Sequence, residues 1–401
     1  MQSKKTIQCL ADLPVMPTTL DTMAWNKTGA WRFLTPVARN KIPPCRQGCP
    51  AGTPVPDFIN ALKQNGENGA LEIILAHNPL PGLTGRLCYH PCQTKCVRRD
   101  LDEGVSIQRI ERYLADCGDF QPPAADPGKA GCVTVVGAGP LGLSCAYFLG
   151  LQGVTVKVTD AGTRAGGALL DIAPEKLDPG VLEKEIDRLV AAGRLELSLG
   201  TETPAAALAE MADQSDMVIL DPTAGNGAVA APESAVSFNP FDDEAPAGNV
   251  VAPTLPDNLI PFKAPMIAHY IGAGRRVARL VAACLSGESF ASQEAANSPD
   301  QPVTAEQIRL DRFRAEQSAE TSPRKRQVEW TREQVMAAAD RCLSCGTCNL
   351  CEQCVISCPD TSILKNPAGT GVCVDLYHCK GCGICAYECP RGVITMEEIN
   401  E

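Results

Sequence analysis

The sequence predicts a multidomain α/β protein with a cysteine-rich domain at each end and a central domain of alternating strands and helices. Its 401 residues are enough for two or three domains with cores of their own. Most of its 21 cysteines fall near the two ends of the chain. Between them, a glycine-rich strand–turn–helix pattern opens a series of strands and helices, which indicates a parallel sheet covered by helices.

Composition divides the chain into five predicted segments. They are an N-terminal arm (1–35), a helical cysteine-containing domain (36–122), a central α/β domain (131–286), a connector with a short helix (287–340) and a cysteine-rich tail (341–401). The connector is polar and poor in aromatic residues, so we expect it to run along the surface. It ends in WTREQVMAAAD, which predicts a helix with Thr331 as its N-cap.

Charge and targeting signals exclude several classes of function. A net charge of −11 offers no basic surface for nucleic acid. The apolar run 133–151 is long enough to cross a bilayer, but its glycine pattern fits a nucleotide-binding turn better. Residues 1–14 lack the apolar core of a signal peptide, so we expect a cytoplasmic location. In that reducing compartment, clustered cysteines indicate metal sites rather than disulfides.

The tail contains the spacing C-x2-C-x2-C-x3-C-P twice. This pattern is typical of bacterial two-cluster ferredoxins, in which the fourth cysteine of each run binds the other cluster. A zinc site would instead show two separated pairs around one ion. The spacing therefore predicts two 4Fe-4S clusters. One is bound by Cys348, Cys351, Cys354 and Cys389, and the other by Cys379, Cys382, Cys385 and Cys358.

The helical domain resembles the iron-sulfur domain of the glutamate synthase small subunit and of the N-terminal part of dihydropyrimidine dehydrogenase. The matching motifs are the C-x3-C-P at 45–50, NPLP at 78–81, GRLC at 85–88, the next two cysteines and VSIQRIERY at 105–113. The resemblance implies two neighbouring clusters. One would be bound by Cys49, Cys88, Cys92 and Glu111, and the other would include Cys45 and Cys96.

This chain departs from that family in two respects. Three residues instead of five separate Cys88 from Cys92, and the C-x2-C pair expected upstream of Cys45 is missing. One interpretation is a single cluster bound by four of the five cysteines. The other is that the missing pair comes from elsewhere in the chain.

The family's A-x-R-C-L-x-C motif, which supplies that pair, is present at the start of the tail, where Arg341 is followed by Cys342 and Cys345. Our hypothesis is that these two cysteines fold back to Cys45 and Cys96 and complete a fourth cluster. The alternative is that they are buried thiols that only pack beside the ferredoxin loop.

The central domain begins with VTVVGAGPLG, in which three glycines of a G-x-G-x-x-G pattern follow a strand and open a helix. Asp160 ends the next strand, where it can bind a ribose, so the pattern predicts a dinucleotide site. Resemblance to the flavin domain of the same family implies FAD, with a GG turn after the acid. The predicted cofactor-binding residues are Gly137, Gly139, Pro140, Gly142, Asp160, Arg164 and Gly167. The alternative is a Rossmann domain kept as a scaffold.

Members of that family insert a complete nicotinamide-binding domain into the flavin domain, and this chain lacks it. We therefore predict a shortened FAD-type domain that does not oxidise NAD(P)H by itself. NKTGAWRFLTPV at 26–37 is similar to the opening of ferredoxin-like subunits of 2-oxoacid oxidoreductases. Together, arm and tail resemble the electron-transfer subunits of enzymes such as phenylglyoxylate dehydrogenase.

The predicted function is that of an electron-transfer subunit of a cytoplasmic oxidoreductase complex. Electrons would pass through 4Fe-4S clusters and FAD between a catalytic subunit, of the 2-oxoacid oxidoreductase type, and a ferredoxin or a nicotinamide-linked partner. Two alternatives remain open at this point. One is a stand-alone NAD(P)H:ferredoxin oxidoreductase, and the other is a flavin-free iron-sulfur relay.

Overall fold

The computed structural model describes residues 27–119, 131–191, 195–225, 231–232, 234–240, 248–259, 262–287, 301–315, 329–369 and 371–399. Most of the predicted arm and about half of the predicted connector lie outside these residues. The helices are α1 (Pro44–Gln47), α2 (Val55–Leu75), α3 (Pro81–Leu87), α4 (Pro91–Thr94), α5 (Ile107–Cys117), α6 (Pro140–Leu151), α7 (Pro179–Ala191), α8 (Ala205–Gln214), α9 (Ile267–Ser286), α10 (Arg332–Asp340), α11 (Gln353–Ile356) and α12 (Ile384–Glu388). The strands are β1 (Leu34–Ala38), β2 (Cys132–Val136), β3 (Thr155–Asp160), β4 (Leu195–Leu199), β5 (Met217–Leu220), β6 (Val236–Phe238), β7 (Val250–Pro253), β8 (Ile363–Lys365), β9 (Val372–Val374) and β10 (Ile394–Glu398).

The chain divides into two compact units. The main unit comprises the described residues within 39–349 and 390–393, and the tail unit comprises those within 27–38, 350–389 and 394–399. The predicted helical and central domains both belong to the main unit, together with the short helix α10.

A six-stranded parallel sheet, in the order β4-β3-β2-β5-β7-β6, forms the centre of the main unit. The β-branched sequence of β2 favours an extended strand that is covered on both faces, and its Val133 and Val135 are fully buried. Helix α6 is apolar all round and packs along α9. The predicted α/β domain with a parallel sheet is confirmed.

The helical part of the main unit has its own apolar core. Phe58 and Ile59 of α2 and Ile110 and Leu114 of α5 are fully buried there, and α10 packs on the same cluster through Val335. The predicted start of α10 is confirmed, because the Thr331 hydroxyl accepts a hydrogen bond from the backbone N–H of Gln334.

The described part of the connector, 301–315, is not confined to the surface as predicted. Val303 and Ile308 are buried in a small cluster with Val97 and Leu343. These two apolar side chains belong to an otherwise polar segment. Their burial stabilises the contact, because it removes apolar surface from water.

The tail unit contains two antiparallel strand pairs, β1 with β10 and β8 with β9. Its small core includes Ile363, Ile394, Cys354 and Cys385. Among the described residues of the chain, no helix is both long and apolar enough to cross a membrane.

Candidate functional site

Four predicted ligands line one cavity in the helical domain, which we call the Glu111 cavity. They are Cys49, Cys88, Cys92 and Glu111. The cysteines follow α1, end α3 and lie in α4, whereas Glu111 lies on the buried face of α5. The structure therefore brings together the four side chains that the family resemblance implies as ligands of one cluster.

Glu111 is held by three neighbours. Its Oε1 accepts hydrogen bonds from Asn78 Nδ2 and from the Thr84 hydroxyl, each at 2.9 Å, and its Oε2 lies 3.3 Å from His90 Nε2. The other ring nitrogen of His90 lies 2.7 Å from the carbonyl oxygen of Cys88. Since each carboxylate oxygen accepts two hydrogen bonds, one lone pair of Oε2 remains for a metal.

The buried thiols of this cavity need a cation to be present as thiolates. Burial raises the pKa of Cys49, and burial together with the charges of Cys49 and Glu111 raises the pKa of Cys92 well above its ordinary value. Because metal binding requires thiolates, a cluster bound here would offset that penalty. Three thiols and one carboxylate around one cavity fit a 4Fe-4S cluster.

A second cavity, which we call the Cys342 cavity, is lined by Cys45, Cys96, Cys342 and Cys345. The two pairs are separated by most of the chain, yet the structure brings them together as the fold-back hypothesis predicts. Burial raises the pKa of Cys45 well above its ordinary value, and the neighbouring thiols, first Cys342 and then Cys345, raise it further. Four thiols that line one cavity have the donor chemistry of a 4Fe-4S site.

A buried clamp of two arginines and one aspartate positions this returning segment. Arg98 donates to Asp102 through Nε at 2.8 Å and through a terminal nitrogen at 2.7 Å, and it donates to the carbonyl oxygen of Arg341 at 2.6 Å. Arg341 in turn donates to Asp102 at 3.0 Å and to the carbonyl oxygen of Glu103 at 2.7 Å. The clamp therefore ties the backbone beside Cys342 to the segment that follows Cys96.

Further contacts hold the same segment in place. Leu343 is 3% exposed and packs against Val97. The Ser344 hydroxyl donates to Asn60 Oδ1 at 3.1 Å. Leu343 and Ser344 are the two residues between Cys342 and Cys345, so the segment that joins these cysteines is anchored to the helical domain.

In the tail unit, Cys358, Cys379, Cys382 and Cys385 line a third cavity, which we call the Cys382 cavity. The backbone N–H of Ser362 points at Cys358 Sγ, 3.2 Å away. The set is the one predicted from the ferredoxin spacing, including the exchanged fourth cysteine.

The remaining predicted set is divided between the units. Cys348 belongs to the main unit, whereas Cys351, Cys354 and Cys389 belong to the tail unit, where Cys354 and Cys389 share one apolar cluster. Among the described residues, no three His, Cys, Asp or Glu side chains are placed as they would be around a single metal ion. The cluster assignments rest instead on the cysteines that line each cavity.

The predicted cofactor-binding glycines follow β2 as expected, but the turn is filled by the chain itself. Asp221 Oδ2 accepts a hydrogen bond from the N–H of Gly139 at 2.8 Å, and the Thr223 hydroxyl accepts one from Leu141 at 3.2 Å. Asp160 Oδ2 accepts from the N–H of Ala138 at 2.6 Å. These are the donors that a dinucleotide pyrophosphate would use, so the residues present do not fit that group at this turn.

Arg164 and Gly167 also differ from their predicted role. Arg164 is exposed and pairs with Glu183 at 2.8 Å instead of facing the turn. Gly167 has a φ of +52°, and a Cβ there would lie 2.6 Å from the carbonyl oxygen of Thr223. The GG turn is therefore occupied by the same loop that fills the glycine turn.

Comparison with protein families agrees with the two parts of the main unit. Residues 37–121 match the family described as dihydropyrimidine dehydrogenase domain II, 4Fe-4S cluster. Residues 135–185 match the NAD(P)-binding Rossmann-like domain. Together these matches cover the four predicted ligands of the Glu111 cavity, part of the Cys342 cavity and the glycine turn.

Individual relatives point the same way. The chain is 36% identical to the glutamate synthase (NADPH) small chain of Bacillus subtilis, over 43% of this chain and 36% of that one. The predicted resemblance is confirmed. This chain is also 34% identical to the NADPH-Fe(3+) oxidoreductase subunit beta of Geobacter sulfurreducens, over 45% of this chain and 28% of that one. Identity to the NADP(+)-dependent formate dehydrogenase subunit beta of Moorella thermoacetica is 34%, over 37% of this chain and 25% of that one.

The matched region thus spans well under half of each of these relatives. Among solved structures, histamine dehydrogenase from Rhizobium aligns with a TM-score of 0.22 at 17% identity, over 46% of this chain and 29% of that one, which is too low to add to the argument. The comparisons support an oxidoreductase chain with a 4Fe-4S domain and a NAD(P)- or FAD-type Rossmann domain.

Two features of these sites were missed in the sequence. Asn78 and Thr84, the hydrogen-bond partners of Glu111, lie in the NPLPGLTG segment that carried the resemblance. Their positions in the sequence do not reveal that they contact Glu111. Asp221 ends the strand MVILD, and parallel strands present their carboxyl ends at one edge of the sheet. That position was the available signal that its carboxylate reaches the glycine turn.

Proposed function

We propose that this chain is an electron-transfer subunit of an oxidoreductase complex, with clusters bound in the Glu111, Cys342 and Cys382 cavities and a further cluster bound by the cysteine set that the ferredoxin spacing predicts for Cys348, Cys351, Cys354 and Cys389. When bound, 4Fe-4S clusters supply one-electron transfer. The chain's own residues bind those clusters, exclude water from them and keep neighbouring clusters a short distance apart.

The convergence of Cys45 and Cys96 with Cys342 and Cys345 on one cavity supports this proposal most strongly. A packing role for Cys342 and Cys345 does not require four thiols to face the same space. It would also favour apolar neighbours over thiols that raise each other's pKa, as Cys342 and Cys345 do for Cys45.

The two cavities of the helical domain share chain segments, which places them side by side. Cys45 and Cys49 are the two cysteines of the C-x3-C motif, and Cys92 and Cys96 lie equally close in sequence. Four residues of extended chain span at most about 14 Å, so these pairs limit the separation of the two sites. Such neighbouring sites suit one-electron steps between clusters.

The identity of the complex is a finer part of the proposal. Relatives named as subunits of NADPH- and NADP(+)-linked oxidoreductases support partner subunits. A catalytic partner of the 2-oxoacid oxidoreductase type, a ferredoxin or nicotinamide-linked partner and a cytoplasmic location follow from the motifs in the arm and from the cysteine usage. The stand-alone NAD(P)H:ferredoxin oxidoreductase has less support, since the nicotinamide domain is missing from the sequence.

FAD is the second finer element. The strand–turn–helix and the Rossmann-like match of 135–185 favour it, whereas the filled glycine turn favours the flavin-free relay. Total flavin released by denaturation of the anaerobically purified chain separates these two candidates.

The test of the cluster assignment is an iron and sulfide count on protein purified anaerobically. We expect about 16 irons per chain from four full clusters. The double variant Cys342→Ala, Cys345→Ala should contain about four irons fewer. The exposed Cys117 lies outside all three cavities, so Cys117→Ala is the matched control and should retain the full count. A count near 12 irons in the unmodified protein, unchanged in the double variant, would refute the Cys342 cluster.

A further inference from the structure

We infer that Asp221 and Thr223 act as a built-in ligand of the Rossmann turn, so that this domain excludes a dinucleotide pyrophosphate and serves as a scaffold for the iron-sulfur domain. The inference is independent of how many clusters the chain binds.

Side chains of one loop occupy the hydrogen-bond donors at the start of α6. The N–H of Gly139 donates to Asp221 Oδ2 at 2.8 Å, and that of Leu141 donates to the Thr223 hydroxyl at 3.2 Å. Pro140 has no N–H to offer. Both N–H groups would bind phosphate in a dinucleotide-binding domain, and here both are taken by residues 221–223.

Residues 221–224 also fill the space beside the glycines of the turn. The glycines of such a turn lack side chains so that a ligand can approach the backbone. Here a Cβ on Gly139 would lie 2.4 Å from the carbonyl oxygen of Thr223, and one on Gly142 would lie 2.7 Å from Asp221 Oδ2. A Cβ on Gly137 would lie 2.7 Å from the Cβ of Ala224. The approach that the glycines provide is used by residues 221–224.

The charge of Asp221 also opposes the binding of a pyrophosphate at this turn. Asp221 is an anion substitute at the N-terminus of a 12-residue helix, where a negative charge is stabilised. Thr223 orients it, since its N–H and hydroxyl both donate to Asp221 Oδ1, at 2.8 and 2.6 Å. Burial raises the pKa of Asp221 to about 6, so the carboxylate is charged at neutral pH. A pyrophosphate would have to approach this charge in a low-dielectric site.

The scaffold role follows from what α9 contacts. Its residues support the loop after Cys49: Arg275 donates to the carbonyl oxygen of Ala51 at 3.0 Å, and a Cβ on Gly272 would lie 2.2 Å from the carbonyl oxygen of Pro50. Ala268 lines the Glu111 cavity. Since α9 packs on α6, filling the turn at the start of α6 stabilises the support of this cavity without a bound cofactor.

The test uses the iron-loaded chain and FAD as the probe. We expect the wild-type protein to contain no stoichiometric flavin and to bind no added FAD in equilibrium dialysis. The variant Asp221→Gly, Thr223→Ala removes the negative charge and frees two donors, so we expect it to bind FAD at least about 100-fold more tightly than the weakest affinity that the dialysis detects. Glu202→Gly, which removes an exposed carboxylate of the same domain, is the control and should behave as wild type.

Three outcomes overturn the inference. They are one FAD per chain in the wild type, wild-type binding of added FAD, and a double variant that retains its iron but gains no affinity. If the double variant loses its iron, amide hydrogen exchange of residues 137–142 in the wild-type protein tests the inference instead. Slow exchange of these N–H groups that does not change when FAD is added supports the inference, and fast exchange overturns it. The iron count reports separately on the proposed electron-transfer function.

Discussion

The substitution Asp102→Ala tests whether the clamp positions the Cys342 segment. It removes the carboxylate that accepts hydrogen bonds from Arg98 and Arg341, whose side chains are only 4% and 7% exposed. Removing one partner of a buried ion pair costs about 3–5 kcal/mol, because the remaining charges are left without compensation. Domains are stable by about 5–15 kcal/mol in total. We therefore expect local release of the segment rather than global unfolding.

The measurement is iron per chain together with thermal unfolding of the anaerobic protein. We expect Asp102→Ala to lose about four irons while the rest of the main unit stays folded. Asp116→Ala is the control, since Asp116 also pairs with an arginine, Arg86, at 2.9 Å, but its side chain is 35% exposed. Such a pair contributes at most about 1 kcal/mol. Full iron retention in Asp102→Ala, or equal losses in both variants, would show that the clamp does not position this site.

Three further predictions address the other sites. Gly381 has a φ of +71°, and a Cβ there would lie 2.3 Å from the carbonyl oxygen of Leu34, whereas Gly369 has a φ of +70° and open space around it. Gly381→Ala should therefore lower the melting temperature of the tail unit by at least about 4 °C more than Gly369→Ala does. Equal shifts in the two variants would contradict this prediction. Glu111→Ala should lose about four irons, whereas Glu111→Gln, which keeps an oxygen for the metal, should retain most of them; loss in both would show that the negative charge itself is required. Burial raises the pKa of Asp221 to about 6 in the folded state, against 3.8 in the unfolded chain, so the folded state keeps a proton that the unfolded state has released; the free energy of unfolding should therefore fall by about 3 kcal/mol as the pH rises from about 4 to above 6. Urea unfolding of the wild type at pH 5 and pH 7 should show part of this fall. The same fall in Asp221→Asn would exclude Asp221 as its source.

Sequence reasoning grouped cysteines that line a common cavity where a short spacing limits their positions. The Cys382 cavity follows from a ferredoxin spacing whose tight loop leaves the thiols few other positions. The Cys342 cavity followed from a motif found in an unexpected place and missing from the expected one. In both cases the residues are recognisable by type, since cysteines in short regular spacings are typical of metal sites.

It failed where the outcome depends on which elements become neighbours. Asp221 reaches the glycine turn only because β5 lies directly beside β2 in the sheet, which periodicity does not reveal. The clamp between Arg98 and Arg341 requires the C-terminal segment to lie on the helical domain, and each arginine alone is indistinguishable from a surface charge. Val303 and Ile308 were missed for the same reason, as their burial depends on Leu343 arriving beside them.

The filled turn and the displaced cysteine pair have a common physical consequence. A helical iron-sulfur domain of this size has a small core, so its cavities depend on neighbours for rigidity. One neighbour is the returning Arg341–Cys345 segment, which adds two thiols and a buried ion-pair network to the Cys342 cavity. The other is α9, whose contacts with Pro50 and Ala51 hold the loop after Cys49. A Rossmann domain that carries its own anion can provide that second support whether or not a cofactor is available.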